Sequence, residues 1–223
     1  MSHKIEKTKV SVEAKPGSVT VTYTIPNNYH AIILLAHGAG AGMDHPFIMS
    51  LSQHLADTGL AIVTFNFPYM ENGKKFPGSA KTNIQAIGNV LKAAEKRLTG
   101  KPIFLGGKSY GGRMSSHLAA ESNLTTVKGL IFYGFPLHAP GKPGTERAAH
   151  LKNVTYPMLF VQGGKDKLAD KLLLNEVVSD LDDTKLIFYE NADHSFKRPK
   201  RISKESLIPK LAKDTSEWIG KNI

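Results

Sequence analysis

The chain has 223 residues, 41% of them hydrophobic and 22% charged, a composition that excludes a disordered, fibrous or low-complexity protein and suits one compact domain over residues 1–223. Cysteine is absent, which excludes disulfides, thiolate metal sites and a cysteine nucleophile. The net charge of +10 is scattered, and its densest cluster, Lys197, Arg198, Lys200 and Arg201, lacks the interleaved aromatics of a nucleic-acid surface, so a solvated basic face is the simpler reading. In chain order, Met1 opens a polar, charged segment rather than a secretory signal, and no later run approaches the roughly 20 apolar residues of a membrane span. A cytoplasmic protein without a membrane partner is expected. Val19, Val21, Tyr23 and Ile25 alternate with Thr20, Thr22 and Thr24, the pattern of a half-buried antiparallel strand. From there the apolar runs become continuous, at residues 31–36, 61–65, 103–105, 127–133, 158–161 and 186–189. Such runs predict strands buried on both faces, as in a parallel sheet covered by helices. Helical spacing falls between them: after Pro46, at Ile84, Ile87, Leu91, Ala94 and Leu98, and after Tyr110, Ala169 and Ser203. The alternation predicts an open α/β sheet with helices on both faces, built by right-handed crossovers. Residues 136–144 are the most loop-like stretch and are too short for a separate cap domain.

Residues 103–106 lead as a strand into Gly107-Lys108-Ser109-Tyr110-Gly111, and a helix follows at once. This is Gly-x-Ser-x-Gly in the strand, sharp turn, helix context of a nucleophile elbow. A serine at such a tip has a strained backbone, and small residues two positions to either side let strand and helix cross closely. A phosphate-binding loop is the rival, because Gly107-Lys108-Ser109 resembles the end of Gly-x-x-x-x-Gly-Lys-Ser/Thr. Its first glycine would stand at position 102, which is Pro102, and the intervening residues read as strand.

A serine hydroxyl needs a base, and the base needs a partner that fixes its tautomer. In the order Ser, acid, His, the histidines downstream of Ser109 are His117, His138, His150 and His194. His194 follows the last strand pattern, where a strand end delivers a base, whereas His117 lies in the helix after the elbow and points away from its tip. Asp166 lies just past the strand at 158–161, on the same sheet edge as Ser109 and His194, and is the expected acid. Asp193 adjoins His194 and is expected to shape the loop; Asp170, Asp182 and Asp183 read as helix and turn carboxylates. Oxyanion donors are expected from the backbone N–H groups of Tyr110 and Ala39, the latter in the small-residue run His37-Gly38-Ala39-Gly40-Ala41-Gly42.

Loops ending on the same edge supply the candidate substrate contacts: His37, Gly38, Gly40, Asp44, His45, Tyr69, Met70, Lys108, Phe135 and His138. His45 and His138 suit loop-backbone hydrogen bonding equally well. Lys108, beside the nucleophile, would favour an anionic substrate, the alternative being an ammonium turned to solvent. His37, Asp44 and His45 are too closely spaced for a zinc set, and neither metal nor cofactor is expected.

With these motifs on the page, the chain resembles the α/β-hydrolase superfamily over nearly its whole length. In His37-Gly-Ala-Gly-Ala-Gly-Met-Asp-His-Pro-Phe47, Phe67-Pro-Tyr-Met70, Gly106-Gly-Lys-Ser-Tyr-Gly-Gly-Arg-Met114 and Phe135-Pro-Leu-His138 it looks like the small bacterial hydrolase-like proteins grouped with the human KANL/Tex-type domain. The resemblance implies a mostly parallel eight-stranded sheet, the nucleophile role at Ser109, and acid and base at Asp166 and His194. More distantly the chain is similar to dienelactone hydrolases, whose nucleophile is cysteine, so that reaction does not carry over to Ser109. The expected activity is that of a serine carboxylesterase or thioesterase on a small ester or thioester, and its rival is a non-catalytic scaffold with a vestigial triad.

Overall fold

The computed structural model describes residues 3–223. Its strands are β1 (His3–Ser11), β2 (Ser18–Pro26), β3 (Ala31–Ala36), β4 (Leu60–Phe65), β5 (Ile103–Lys108), β6 (Val127–Tyr133), β7 (Met158–Gly163) and β8 (Thr184–Tyr189). They form one sheet in the order β1-β2-β4-β3-β5-β6-β7-β8. β1 and β2 are antiparallel to each other, β2 is antiparallel to β4, and β3 to β8 are mutually parallel. All six parallel strands therefore end on one edge, where the loops that follow them meet.

The continuous apolar runs are explained by two covered faces. Along β3, Ile32, Leu34 and Ala36 enter one core while Ala31, Ile33 and Leu35 enter the other. The first core is roofed by α3 (Ala80–Arg97), α4 (Tyr110–Glu121) and α5 (Lys171–Ser179), the second by α1 (Pro46–Asp57) and α6 (Ile208–Ile219). α1 begins at Pro46, whose missing N–H costs nothing in a first turn, and His45 caps it by accepting from the Phe47 N–H at 3.2 Å. α3 follows the predicted periodicity, with Ala86, Ile87, Val90, Leu91 and Ala94 buried in one stripe.

Two elements lie outside the sequence expectations. β1 pairs along its whole length with β2, yet its His-Lys-Ile-Glu-Lys-Thr-Lys-Val-Ser run shows no apolar alternation because it is an edge strand with most positions exposed. Lysines on such an edge discourage pairing with another chain. A short helix, α2 (Pro68–Glu71), replaces the loop expected after β4. A 3₁₀ segment, Glu146–Asn153, precedes β7. Among the described residues no large cap covers the strand ends, and the loop-like stretch after β6 holds a bridge between Ala139 and Lys142. Among the described residues no helix is long and apolar enough to cross a membrane.

Candidate active site

Ser109 caps α4 with φ 51° and ψ −115°, a left-handed conformation that a non-glycine residue holds only when its surroundings impose it. The imposition is steric. A Cβ at Gly107 would stand 2.3 Å from the Gly112 nitrogen, and one at Gly111 would stand 2.5 Å from the carbonyl oxygens of Ala36 and His37. Strand, turn and helix thus cross at backbone contact, and the serine is left standing at the tip. The Ser109 N–H donates to the Tyr133 carbonyl at 3.1 Å, which ties the turn to β6.

Asp166 and His194 come from the loops after β7 and β8. A Cβ at Gly163 or Gly164 would fall 2.4 Å from the Asp193 carbonyl or 2.6 Å from that of Glu190. Two backbone bonds, Gly164 N–H to Tyr189 O at 2.9 Å and Lys165 N–H to Ala192 O at 2.8 Å, stitch the loops together. His194 Nδ1 then donates to Asp166 Oδ2 at 2.6 Å, and His194 Nε2 lies 2.9 Å from Ser109 Oγ. A carboxylate accepts only, so the proton sits on Nδ1 and leaves Nε2 free to take the serine proton. The Asp166 carboxylate is fully buried; Gln162 Nε2 also donates to Oδ2 at 2.6 Å and the Leu168 N–H to Oδ1 at 2.8 Å. Asp193 accepts from the N–H groups of Ser195 and Lys197, which folds the loop carrying His194. Asp170 caps α5, and His117 stacks on His150 at 3.6 Å between centroids.

The candidate oxyanion loop follows β3. Ala39 and Gly40 are exposed, and among the described residues no loop or turn hydrogen bond takes up the N–H of Ala39 or of Tyr110. Gly38 is buried, and a Cβ there would lie 3.8 Å from the Ser109 Cβ, so the loop runs directly beside the serine. His37 faces inward instead of lining the cleft. Its Nδ1 donates to the Gly38 carbonyl at 2.8 Å and its Nε2 accepts the Phe67 N–H at 3.1 Å. Burial holds this imidazole down to about 4, so it is a neutral brace between the ends of β3 and β4.

Several further candidates are corrected by burial. Phe135 packs among Phe132 and Phe160 in the core. His138 has both ring nitrogens bound to backbone, Nδ1 at the Ala139 carbonyl and Nε2 at the Asp170 N–H, and so belongs to the loop scaffold. Tyr69 is 5% exposed and stacked on Phe67; burial pushes its hydroxyl up to about 12, and the hydroxyl faces the Gly40 backbone without completing a well-aligned hydrogen bond. Met70 is half-buried, with its methyl 3.5 Å from where a Gly42 Cβ would stand. Asp44 is exposed and pairs loosely with Lys7 at 3.9 Å, and His45 serves as the cap of α1. Lys108 is half-buried, but its Nζ is sealed from solvent, so it offers no open subsite for an anionic group.

Supporting residues without a motif also emerge. Glu71 in α2 accepts from the Thr20 N–H, Lys9 Nζ and Asn66 Nδ2, and the Asn66 side-chain oxygen accepts the Met43 N–H at 2.9 Å. Burial alone would raise the Glu71 carboxyl, but these donors hold it at about 2. The chain thereby fastens the end of the candidate oxyanion loop to β2. Asn83 in α3 donates to the Tyr110 hydroxyl at 2.9 Å. No sequence spacing distinguishes these polar residues from ordinary surface ones.

A family model described as an alpha/beta hydrolase domain matches residues 29–220. Among solved structures, a dienelactone hydrolase from Anabaena variabilis is similar over 100% of both chains, at 19% identity and a TM-score of 0.81. An alpha-beta serine hydrolase homologue from Coxiella burnetii matches over 98% of this chain and 97% of its own, at 19% identity and a TM-score of 0.70. A serine hydrolase without lid from Xanthomonas campestris matches over 99% and 96%, at 15% identity and a TM-score of 0.75.

Proposed function

The chain belongs to the alpha/beta hydrolase domain family, and on that premise we propose that it is a serine hydrolase cleaving small ester or thioester substrates through an acyl-enzyme. The observation that carries the reading is the unbroken line from Ser109 Oγ through His194 to Asp166, at 2.9 and 2.6 Å, set on a strained elbow. In the proposed cycle Ser109 attacks the acyl carbon while His194 Nε2 takes its proton, and the buried Asp166 carboxylate stabilises the imidazolium that forms. The N–H groups of Ala39 and Tyr110 face the developing oxyanion, each contributing roughly 3 to 4 kcal/mol to lowering the barrier. His194 then protonates the departing alcohol or thiol, and water repeats the sequence to free the acid. The lack of a large cap suits small substrates in free solution.

Intact mass after treatment with a small fluorophosphonate tests the reading. One adduct on the wild type and none on Ser109→Ala is expected, followed by turnover of an ester and thioester panel that Ser109→Ala loses. A folded wild-type protein that takes no adduct would overturn the enzyme in favour of a scaffold.

A further inference from the structure

Lys108 is the one residue beside the nucleophile whose surroundings the proposed cycle leaves unexplained. Its Nζ is shielded from water and has no hydrogen-bond partner among the described residues. Both nearby carboxylates are engaged with other donors: Asp166 with His194, Gln162 and the Leu168 N–H, and Asp193 with the N–H groups of Ser195 and Lys197. A buried charge without a matched partner is costly, so its position calls for a reason.

The neighbouring backbone makes room for that charge. Gly134, at the end of β6, has φ 70°, and its vacant Cβ position lies 3.0 Å from Lys108 Nζ, 3.4 Å from His194 Nδ1 and 3.5 Å from His194 Cε1. Ammonium and imidazole edge therefore share one small space. On the other side the Phe196 ring lies under Nζ, 5.7 Å from ammonium to centroid. Phe196 itself holds φ 58°, and its ring is fixed by stacking on Phe47 at 5.8 Å and by an edge contact with Tyr189 at 6.1 Å. An aromatic residue adopts that backbone only under constraint, and here the constraint sets a π face beneath the cation.

We propose that Lys108 is a positioning residue acting through His194: its ammonium, facing the Nδ1–Cε1 edge of the ring, opposes protonation of the imidazole and keeps it a free base. The inference rests on the serine-hydrolase reading. Asp166 pulls a proton onto the ring by stabilising the imidazolium, and Lys108 offsets that pull from the same side. The charged groups facing this space are Asp166 from the loop after β7 and Asp193 and His194 from the loop after β8, and the end of β6 contributes the uncharged Gly134. Burial brings the Lys108 ammonium down to about 8, against the pull of Asp166 and Asp193, so the cation is in place at neutral pH and leaves as the solution becomes alkaline.

Two measurements on the full chain decide the matter. The first is the pH dependence of fluorophosphonate labelling for wild type, Lys108→Met and Lys108→Arg. The second is the protonation midpoint of the His194 ring by NMR in the same proteins, its signal assigned with His194→Gln. Removal of a charge at this range should move both the acid limb and the ring midpoint of Lys108→Met upward by about one pH unit or more, while Lys108→Arg keeps the wild-type values. Lys108→Gln makes the same comparison if methionine disturbs folding. A ring midpoint that stays in place in the neutral variants, or labelling that falls equally at every pH, would overturn the proposal and leave Lys108 a packing residue. A wild type that takes no label would overturn the serine-hydrolase reading alone, because the ring midpoints still decide what Lys108 does.

Discussion

The two halves of the candidate site are held by different physics. The elbow is held by exclusion: Gly107, Gly111 and Gly112 lie within six residues, and their missing side chains let backbones touch so that Ser109 has nowhere else to go. The candidate acid and base, Asp166 and His194, are held by attraction: they stand 28 residues apart in the chain and meet through hydrogen bonds that include donors from Gln162 and the Leu168 N–H. A site held sterically resists small perturbations and fails abruptly, whereas one held by hydrogen bonds weakens by degrees.

The largest effect should come from the attractive half. Asp166→Asn presents an amide to His194 Nδ1, traps the wrong tautomer and should lower kcat by about 10⁴ on whichever ester the wild type turns over, with the fold intact by circular dichroism. Next, Gly111→Ala drives a Cβ into the Ala36 and His37 carbonyls, so a destabilisation of about 4 kcal/mol or outright failure to fold is expected in urea titration. A mild loss there would mean that strand and helix can separate and that exclusion does not hold the serine.

Acid tests the brace beneath the candidate oxyanion loop. His37 titrates near 6.5 when unfolded and at about 4 when folded, so the folded state binds fewer protons between those values and stability rises with pH. Stability is thus complete above pH 6.5 and is lost as pH falls through 4, by about 3 kcal/mol from this one residue. His150, depressed to about 4 by burial and by His117 and Arg113, adds a smaller share in the same window because it is only half-buried. Urea midpoints between pH 7 and 4 measure the slope, and a flat profile would remove His37 as a neutral brace. The smallest effect is expected from Gln162→Leu, which removes one donor from a carboxylate that keeps two others; kcat should fall by about tenfold with little loss of stability. A loss as deep as that of Asp166→Asn would mean that Gln162, rather than the loops, positions the acid.

Much of this was legible beforehand because it is local. The period of apolar residues depends on what covers each strand face, so the parallel core could be read from β3, β4 and β6, and the elbow from five contiguous residues. β1 was not legible: an exposed edge strand buries too little to impose a pattern, and only pairing with β2 makes it a strand. Burial of particular side chains was also hidden. His37 and Phe135 occupy loops at the reactive edge, where exposure is the default, yet the structure turns each of them inward onto backbone or core, whereas His138 takes the loop-backbone role that its position already offered.

The amino-acid sequence alone determined the order of the parallel strands and of the long helices between them, the serine at the elbow and the positions of Asp166 and His194 after it, because those depend on local periodicity and on backbone sterics between near neighbours. The tertiary structure alone decided that Asp166 and His194 close on Ser109, that Asn66 and Glu71 tether the candidate oxyanion loop, and that the Lys108 ammonium is sealed beside the imidazole. Each of those is a contact between groups far apart in the chain, and its energy exists only once the sheet has brought them together.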